Sequence, residues 1–259
     1  MRRILPLLLL IATCLPLRAD WVVEQKGVAV VASSLNAALK PQSDFIKEGS
    51  LEVGVLEGAS AEGKQNASFS LYLSNGLGMY ALGDFAFDVE RYRQEPFQPS
   101  DRDLEFEPSR SELIFDLRRG HFGFWRTPAR AVSDFVLKTP FATFRVESSA
   151  LAVWVDETSV AVYLDNGVAY LEIPKTGFKE TLQSGQYLLL KQEDLNKPYP
   201  PKIERATAVE KTPAAEWINR ARWVYGRIRF EKNAQDALVP RIYLPKGHFL
   251  QRPVGDPNL

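Results

Sequence analysis

Between residue 22 and roughly residue 190 the chain alternates apolar and polar positions in short runs. Phe69, Leu71 and Leu73 alternate with Ser70, Tyr72 and Ser74; Phe85, Phe87 and Val89 alternate with Ala86, Asp88 and Glu90; Leu113, Phe115 and Leu117 alternate with Ile114, Asp116 and Arg118. Successive side chains of an extended chain leave opposite faces, so runs with this period predict half-buried strands. Val, Phe, Tyr, Leu and Ile dominate them, the residue types that suit a pleated surface. Asn75-Gly76 and Asn166-Gly167 each sit between two alternating runs. Asn-Gly suits the positive φ angles of a tight type I′ turn, so both predict hairpins. The segments leading into them also align, Ser68-Phe69-Ser70-Leu71-Tyr72-Leu73 with Ser159-Val160-Ala161-Val162-Tyr163-Leu164. A duplicated β-unit and convergence on common turn chemistry both account for this; the lack of a third copy favours convergence.

The alternation breaks twice. Residues 94–111 are polar, with Pro96, Pro99 and Pro108 among charges of both signs, and read as a surface loop. Residues 191–211 carry Pro198, Pro200 and Pro201 and read as an extended, proline-rich linker. Thr212-Pro213 then places a capping residue before a proline, a helix opening, and Trp217, Ala221 and Val224 recur at helical spacing to about Arg227. One more apolar run, residues 238–244, precedes a polar tail. The expected fold is all-β, a short β-solenoid or sandwich of antiparallel hairpins over residues 20–190. The linker at 191–211 and a small helical segment with an extended tail at 212–259 follow it.

The first residues point to export. Arg2 and Arg3 precede an almost wholly apolar stretch at 4–17, and Ala19 offers a small residue before Asp20. That order describes a secretory signal peptide at 1–19, and the apolar run falls short of the about 20 residues a spanning helix needs. Cys14, after Ile11-Ala12-Thr13, is similar to a lipoprotein processing box, except that Thr13 stands where Gly, Ala or Ser is usual. Lipidation at Cys14 is therefore the minority reading. The chain is expected in the periplasm or outer envelope. Cys14 is the only cysteine, so a chain cut after Ala19 has no disulfide, no cysteine nucleophile and no thiolate metal site. Of 32 basic residues, Arg2, Arg3 and Arg18 leave with the signal, and 29 remain against 32 acidic ones. A weakly acidic chain has no electrostatic draw toward nucleic acid, and no later apolar run is long enough for a transmembrane helix.

Catalytic equipment is sparse. His121 and His248 are the two histidines, each beside a glycine in a strand-start or turn context, where solvated turn residues are the ordinary state. No Gly-x-Ser-x-Gly, His-Glu-x-x-His, EF-hand loop or phosphate-cradling glycine pattern occurs. Asp101, Asp103, Glu105 and Glu107 alternate and would share one side of an extended chain, a possible calcium row, but Arg102 among them favours a solvated loop. Trp125, Trp154, Trp217 and Trp223 could line a sugar groove, although aromatic residues in alternating strands are mostly core. No catalytic, cofactor or metal residue is assigned.

Several motifs in order carry a family resemblance over residues 48–190. Leu71-Tyr72-Leu73-Ser74-Asn75-Gly76, then Gly83-Asp84-Phe85-Ala86-Phe87-Asp88-Val89, resemble a strand with a polar-Gly turn and the strand after it in FecR-type periplasmic domains. Residues 113–120, the pair Phe135-Val136-Leu137-Lys138-Thr139-Pro140 and Ala142-Thr143-Phe144-Arg145-Val146, and residues 160–168 are similar to the family's next strands. Leu182-Gln183-Ser184-Gly185-Gln186 resembles its closing turn. Glu147-Ser148-Ser149-Ala150 departs from the family's Gly-Thr. The resemblance implies an exported protein-interaction or scaffold module without catalysis, whose partner is another envelope protein, with strand addition as the expected mode of binding. A glycan-binding or glycan-cleaving envelope protein is the alternative.

Overall fold

The computed structural model describes residues 26–40, 45–48, 51–97, 107–128, 133–225, 228–232 and 238–242. The expected signal peptide, Cys14, His248, Asp101, Asp103 and Glu105 lie outside the described residues. The fold is all-β with one described α-helix. Its strands are β1 (Val28–Lys40), β2 (Phe45–Glu48), β3 (Leu51–Val55), β4 (Ser60–Leu73), β5 (Leu77–Gln94), β6 (Ser111–Arg126) and β7 (Asp134–Lys138). They continue as β8 (Thr143–Val155), β9 (Ser159–Ile173), β10 (Phe178–Gln183), β11 (Gln186–Lys191) and β12 (Ile203–Arg205). The helix α1 (Ala208–Tyr225) follows, and then a separate antiparallel pair, β13 (Ile228–Lys232) and β14 (Leu238–Ile242).

The first twelve strands form one sheet in the order β12-β11-β9-β8-β7-β6-β5-β4-β1-β3-β2, with β10 paired beside β9. The hairpins are antiparallel, as the alternation predicts, and join into a single sheet. One pairing is parallel: β7 runs beside the first half of β6, from Glu112 opposite Asp134 to Asp116 opposite Lys138. Beyond Gly120 the strands β6 and β8 pair directly, so β7 is a wedge between two strands that splay apart.

One face of the sheet holds the main core. Phe69, Leu71 and Leu73 of β4, Phe85 and Phe87 of β5, Phe115, Phe122 and Phe124 of β6, and Phe135 of β7 are all essentially inaccessible. Most of their rings meet tilted or edge-on, Phe87 and Phe115 at 5.7 Å and Phe124 and Phe135 at 5.7 Å, while Phe85–Phe87 and Phe122–Phe124 stack at 6.2 and 6.5 Å. Two long strands keep this face by inserting a bulge, and the parity of their buried residues records it. In β6 it passes from Leu113, Phe115 and Leu117 to Phe122 and Phe124 across Gly120; in β9 from Val160, Val162 and Leu164 to Ala169, Leu171 and Ile173 across Gly167. Gly120 has φ +113°, and a Cβ there would lie 2.4 Å from Cβ of Phe85, so both the bend and the close approach require glycine.

Three sequence expectations change. Asn166-Gly167 is a bulge inside β9 (Ser148 faces Gly167, Ala150 faces Asn166, Leu151 faces Leu164) and not a hairpin turn. Both β8 and β9 run on past it, so its left-handed glycine bends a ladder and does not end one. Asn75-Gly76 does close a hairpin, but through a turn in which the Gly76 N–H donates to the Leu73 carbonyl (2.9 Å) and only Gly76, at φ +85°, is left-handed. This is a type I turn closed by glycine. Lastly, residues 191–211 are not a free linker. They hold a 3-10 turn (Gln192–Asn196), β12 paired with β11, and the first turn of α1. The helix begins before Pro213 because Thr207 and Glu210 form a capping box: Glu210 accepts the Thr207 N–H at 2.7 Å, and the Val209 N–H donates to Thr207 Oγ1 at 3.3 Å.

Candidate interaction surface

Strand β1 is paired unequally on its two sides. Toward β4 it pairs from Ala29 to Lys40, whereas toward β3 only Val28, Ala29, Val30 and Val31 are paired. Among the described residues no strand lies against the rest of that second edge. The cause is local. The β1–β4 register slips between Val31 and Ser33 and again between Leu35 and Ala37, and Asn36 takes φ +52°. The facing β4 bulges at the same level, with Asn66 at φ +63°. Paired bulges bend both strands, and the ladder toward β3 ends with Val31 opposite Glu52 because β3 itself begins at Leu51.

A cavity of about 280 Å³ opens along this unpaired edge. Val31, Leu39, Phe69 and Ala37 make its apolar part, and Ser34, Ala38 and Glu52 its rim. Phe69 and Val31 belong to the main core, and Ala37 and Leu39 pack partly against it, so the pocket floor is the core surface itself. At the bend Ser34 Oγ donates to the Ala37 carbonyl at 3.0 Å, and Leu35 is 45% exposed. The run Ser33-Ser34-Leu35-Asn36-Ala37-Ala38 signals this edge in retrospect, because polar residues interrupt the alternation and no charge guards it.

The residues singled out by sequence mostly serve α1. His121 lies flat on Trp217, ring centroids 4.8 Å apart and planes 9° from parallel, and Trp154 meets Trp217 edge-on at 4.7 Å. Arg222 lies over Trp125 at 5.8 Å and Arg220 over Tyr80 at 5.2 Å. Trp223 is buried with Tyr72, Val30 and Val224 on the same outer face. These aromatics are therefore the seat of the helix and not an open groove. Burial lowers the His121 pKa below its ordinary value.

A second polar cluster closes one end of the core. Tyr92 Oη and Ser74 Oγ are 2.9 Å apart, the Asn75 N–H donates to Tyr92 Oη at 3.0 Å, and Ser74 Oγ donates to Gln94 Oε1 at 2.6 Å. Asn75 Nδ2 donates to Ser111 Oγ at 3.0 Å, and Ser111 Oγ donates in turn to Glu107. Burial pushes the Tyr92 hydroxyl well above the usual phenol range. Glu107, the last of the four alternating carboxylates, is thus a buried acceptor in this network. Among the described residues no three His, Cys, Asp or Glu side chains are grouped to hold a metal, and no helix is long and apolar enough to cross a membrane.

No family model matches the chain, and no curated protein matches it. Among solved structures it is similar to two crystal structures of a candidate anti-sigma factor from Parabacteroides distasonis ATCC 8503. The first, at 2.50 Å resolution, is 11% identical with a TM-score of 0.39, over 57% of this chain and 59% of that one. The second, at 1.65 Å, is 10% identical with a TM-score of 0.38, over 71% of this chain and 99% of that one. At these overlaps the matches assign neither a family nor a function to the chain.

Proposed function

We propose that the chain is an exported, non-catalytic interaction module of the bacterial cell envelope, of the FecR-like type, which binds a partner protein by adding a strand to its sheet. The observation that carries this reading is the outer half of β1, whose second edge is unpaired among the described residues. An exposed strand edge offers rows of N–H and C=O groups whose natural complement is another extended chain. The ordered motifs over residues 48–190 and the basic-then-apolar start at 1–19 support the family type and the export. Trp125 and Trp154 lend no support to a glycan groove, because α1 engages both rings.

The test is to express the tagged chain in its own cell, crosslink gently, and identify what co-purifies from the envelope fraction. One envelope protein at near-stoichiometric yield is the expected result. Polysaccharide recovered without a protein partner would overturn the reading.

A further inference from the structure

We infer that Asn166 is a site of spontaneous covalent modification, where the Gly167 amide nitrogen closes on the Asn166 side chain and water then leaves an aspartyl or isoaspartyl residue in its place. The step needs no enzyme and no co-reactant but water. Hydroxide takes the Gly167 amide proton, and the nitrogen attacks the Asn166 side-chain carbonyl carbon. A new C–N bond forms, the bond from that carbon to Nδ2 breaks, and Nδ2 takes a proton from water and leaves as ammonia. Water then opens the resulting cyclic imide at either carbonyl. Opening at the side-chain carbonyl gives aspartate; opening at the main-chain carbonyl gives isoaspartate, whose main chain runs through the former side chain and is one carbon longer. Either product carries a carboxylate where a neutral amide stood.

The chain has two Asn-Gly pairs, and the fold treats them oppositely. Glycine in second place matters because, without a Cβ, it leaves the attacking nitrogen uncrowded. Three observations single out the pair at 166–167. The first is access. Asn166 is exposed, so hydroxide and water reach it, whereas Asn75 is only 3% exposed. The second is restraint. For Asn75 to react, its Nδ2 must leave Ser111 Oγ (3.0 Å), its Oδ1 must leave the Leu77 N–H (3.2 Å), and the Gly76 N–H must leave the Leu73 carbonyl (2.9 Å), all in a buried setting. The Gly167 N–H is held instead by an exposed side-chain hydroxyl, Ser184 Oγ at 2.9 Å. The third is backbone. Asn166 lies between two register shifts of the β8–β9 ladder, one on each side of Ala150, and Gly167 sits at φ +109°. A bulge takes the peptide between them out of the regular ladder, so it turns toward the ring geometry without unpairing a strand.

The bulge is tied to the turn between β10 and β11. Ser184 Oγ accepts the Gly167 N–H and donates to the Gly167 carbonyl at 3.3 Å, and the Gly185 N–H donates to the Leu164 carbonyl at 2.6 Å. Isoaspartate lengthens the main chain between these anchors. It also sets a second carboxylate beside Asp165, which already accepts the Tyr163 hydroxyl at 2.9 Å. Both changes loosen the joint between β9 and that turn.

The experiment ages the whole folded chain in mildly alkaline buffer and follows the tryptic peptides spanning 146–175 and 65–91 by mass and chromatography. Residues 146–175 hold one asparagine and no glutamine, so any amide-to-acid mass change there belongs to Asn166. Aspartyl and isoaspartyl forms, resolved as two peaks, should accumulate at Asn166 at least about tenfold faster than at Asn75, because each bond held around Asn75 slows it several-fold. In urea the two rates should converge, Asn75 rising to meet Asn166, since both pairs then share the same local chemistry. An unchanged 146–175 peptide in the folded chain, equal folded-state rates at the two asparagines, or an Asn166 rate that unfolding raises more than about tenfold would overturn the assignment. In the converted chain, amide exchange should speed up at Gly167 and Gly185 while residues 160–163 stay protected. Asn166→Gln, which closes a larger and slower ring, should age with neither the mass change nor the exchange change. Unaltered exchange at Gly185 in converted chain, or the same rise in aged Asn166→Gln, would overturn the loosening of the joint.

Discussion

The backbone of helix α1 passes directly over Gly123 of β6, and replacing that glycine measures how firmly the helix is seated. A Cβ added to Gly123 would lie 2.3 Å from the carbonyl carbon of Trp217, 2.4 Å from its oxygen and 2.8 Å from the Ile218 nitrogen. All three are backbone atoms in the middle of the helix, so no flexible side chain can swing aside. Non-bonded carbon contacts settle near 3.5–4.0 Å, so Gly123→Ala forces α1 to retreat by roughly 1 Å or more. That retreat opens the His121–Trp217 stack and the Trp154–Trp217 contact, now at 4.8 and 4.7 Å, and loosens the packing of Ala214 and Ala221 on the buried side of the helix. Overpacking of this kind costs about 1–3 kcal/mol. The sign is informative, because a tolerated Gly→Ala change stabilises by about 0.4–1 kcal/mol through the unfolded chain. In urea, where small domains lose about 1–3 kcal/mol per molar denaturant, the expected loss lowers the midpoint by roughly 1 M. Tryptophan emission should shift to the red as Trp217 gains water. A Gly123→Ala protein with an unchanged or higher midpoint and unshifted emission would refute the close seating of α1 on β6.

Burial depresses the pKa of His121, so the folded chain binds its proton less tightly than the unfolded chain. Its contribution to stability is therefore full above an ordinary histidine pKa of about 6.5 and is lost as pH falls through the depressed value. His121→Gln should flatten the acid limb of the urea midpoint against pH; an identical limb would contradict the burial argument. Asp116 is raised above the usual carboxylate range by burial first and then by Glu90 and Asp88, so the folded chain holds its proton more tightly and this contribution fades as pH rises through that interval. Asp116→Asn should raise the melting temperature slightly at pH 7 and leave it nearly unchanged at pH 3. Tyr92→Phe strips the acceptor from the Asn75 N–H inside the buried network, and an orphaned buried donor costs about 1–3 kcal/mol. A loss below about 0.5 kcal/mol by denaturation would mean that the network rearranges around the missing hydroxyl.

The strands themselves were legible from local chemistry. Phe69, Leu71 and Leu73, or Leu113, Phe115 and Leu117, face one core because alternation in an extended chain needs nothing beyond neighbours two residues away. The all-β class and the C-terminal helix followed from the same short-range periods. What the chain could not announce locally was how each irregularity would be used. Asn75-Gly76 ends a strand and Asn166-Gly167 bends one, although the dipeptides are identical, because only the partner strands decide whether a left-handed glycine closes a ladder or shifts its register. Thr212-Pro213 offered a helix start, yet Thr207 and Glu210 satisfied the first amides earlier. Strand order was equally hidden: β7 enters parallel beside β6, and β1 sits between β4 and β3. The tertiary structure alone set Gly123 against the backbone of Trp217 and, among the described residues, left the outer half of β1 without a strand on one side, beside a cavity that reaches Phe69. Both depend on contacts between residues far apart in sequence, and periodicity is a statement about residues that are close.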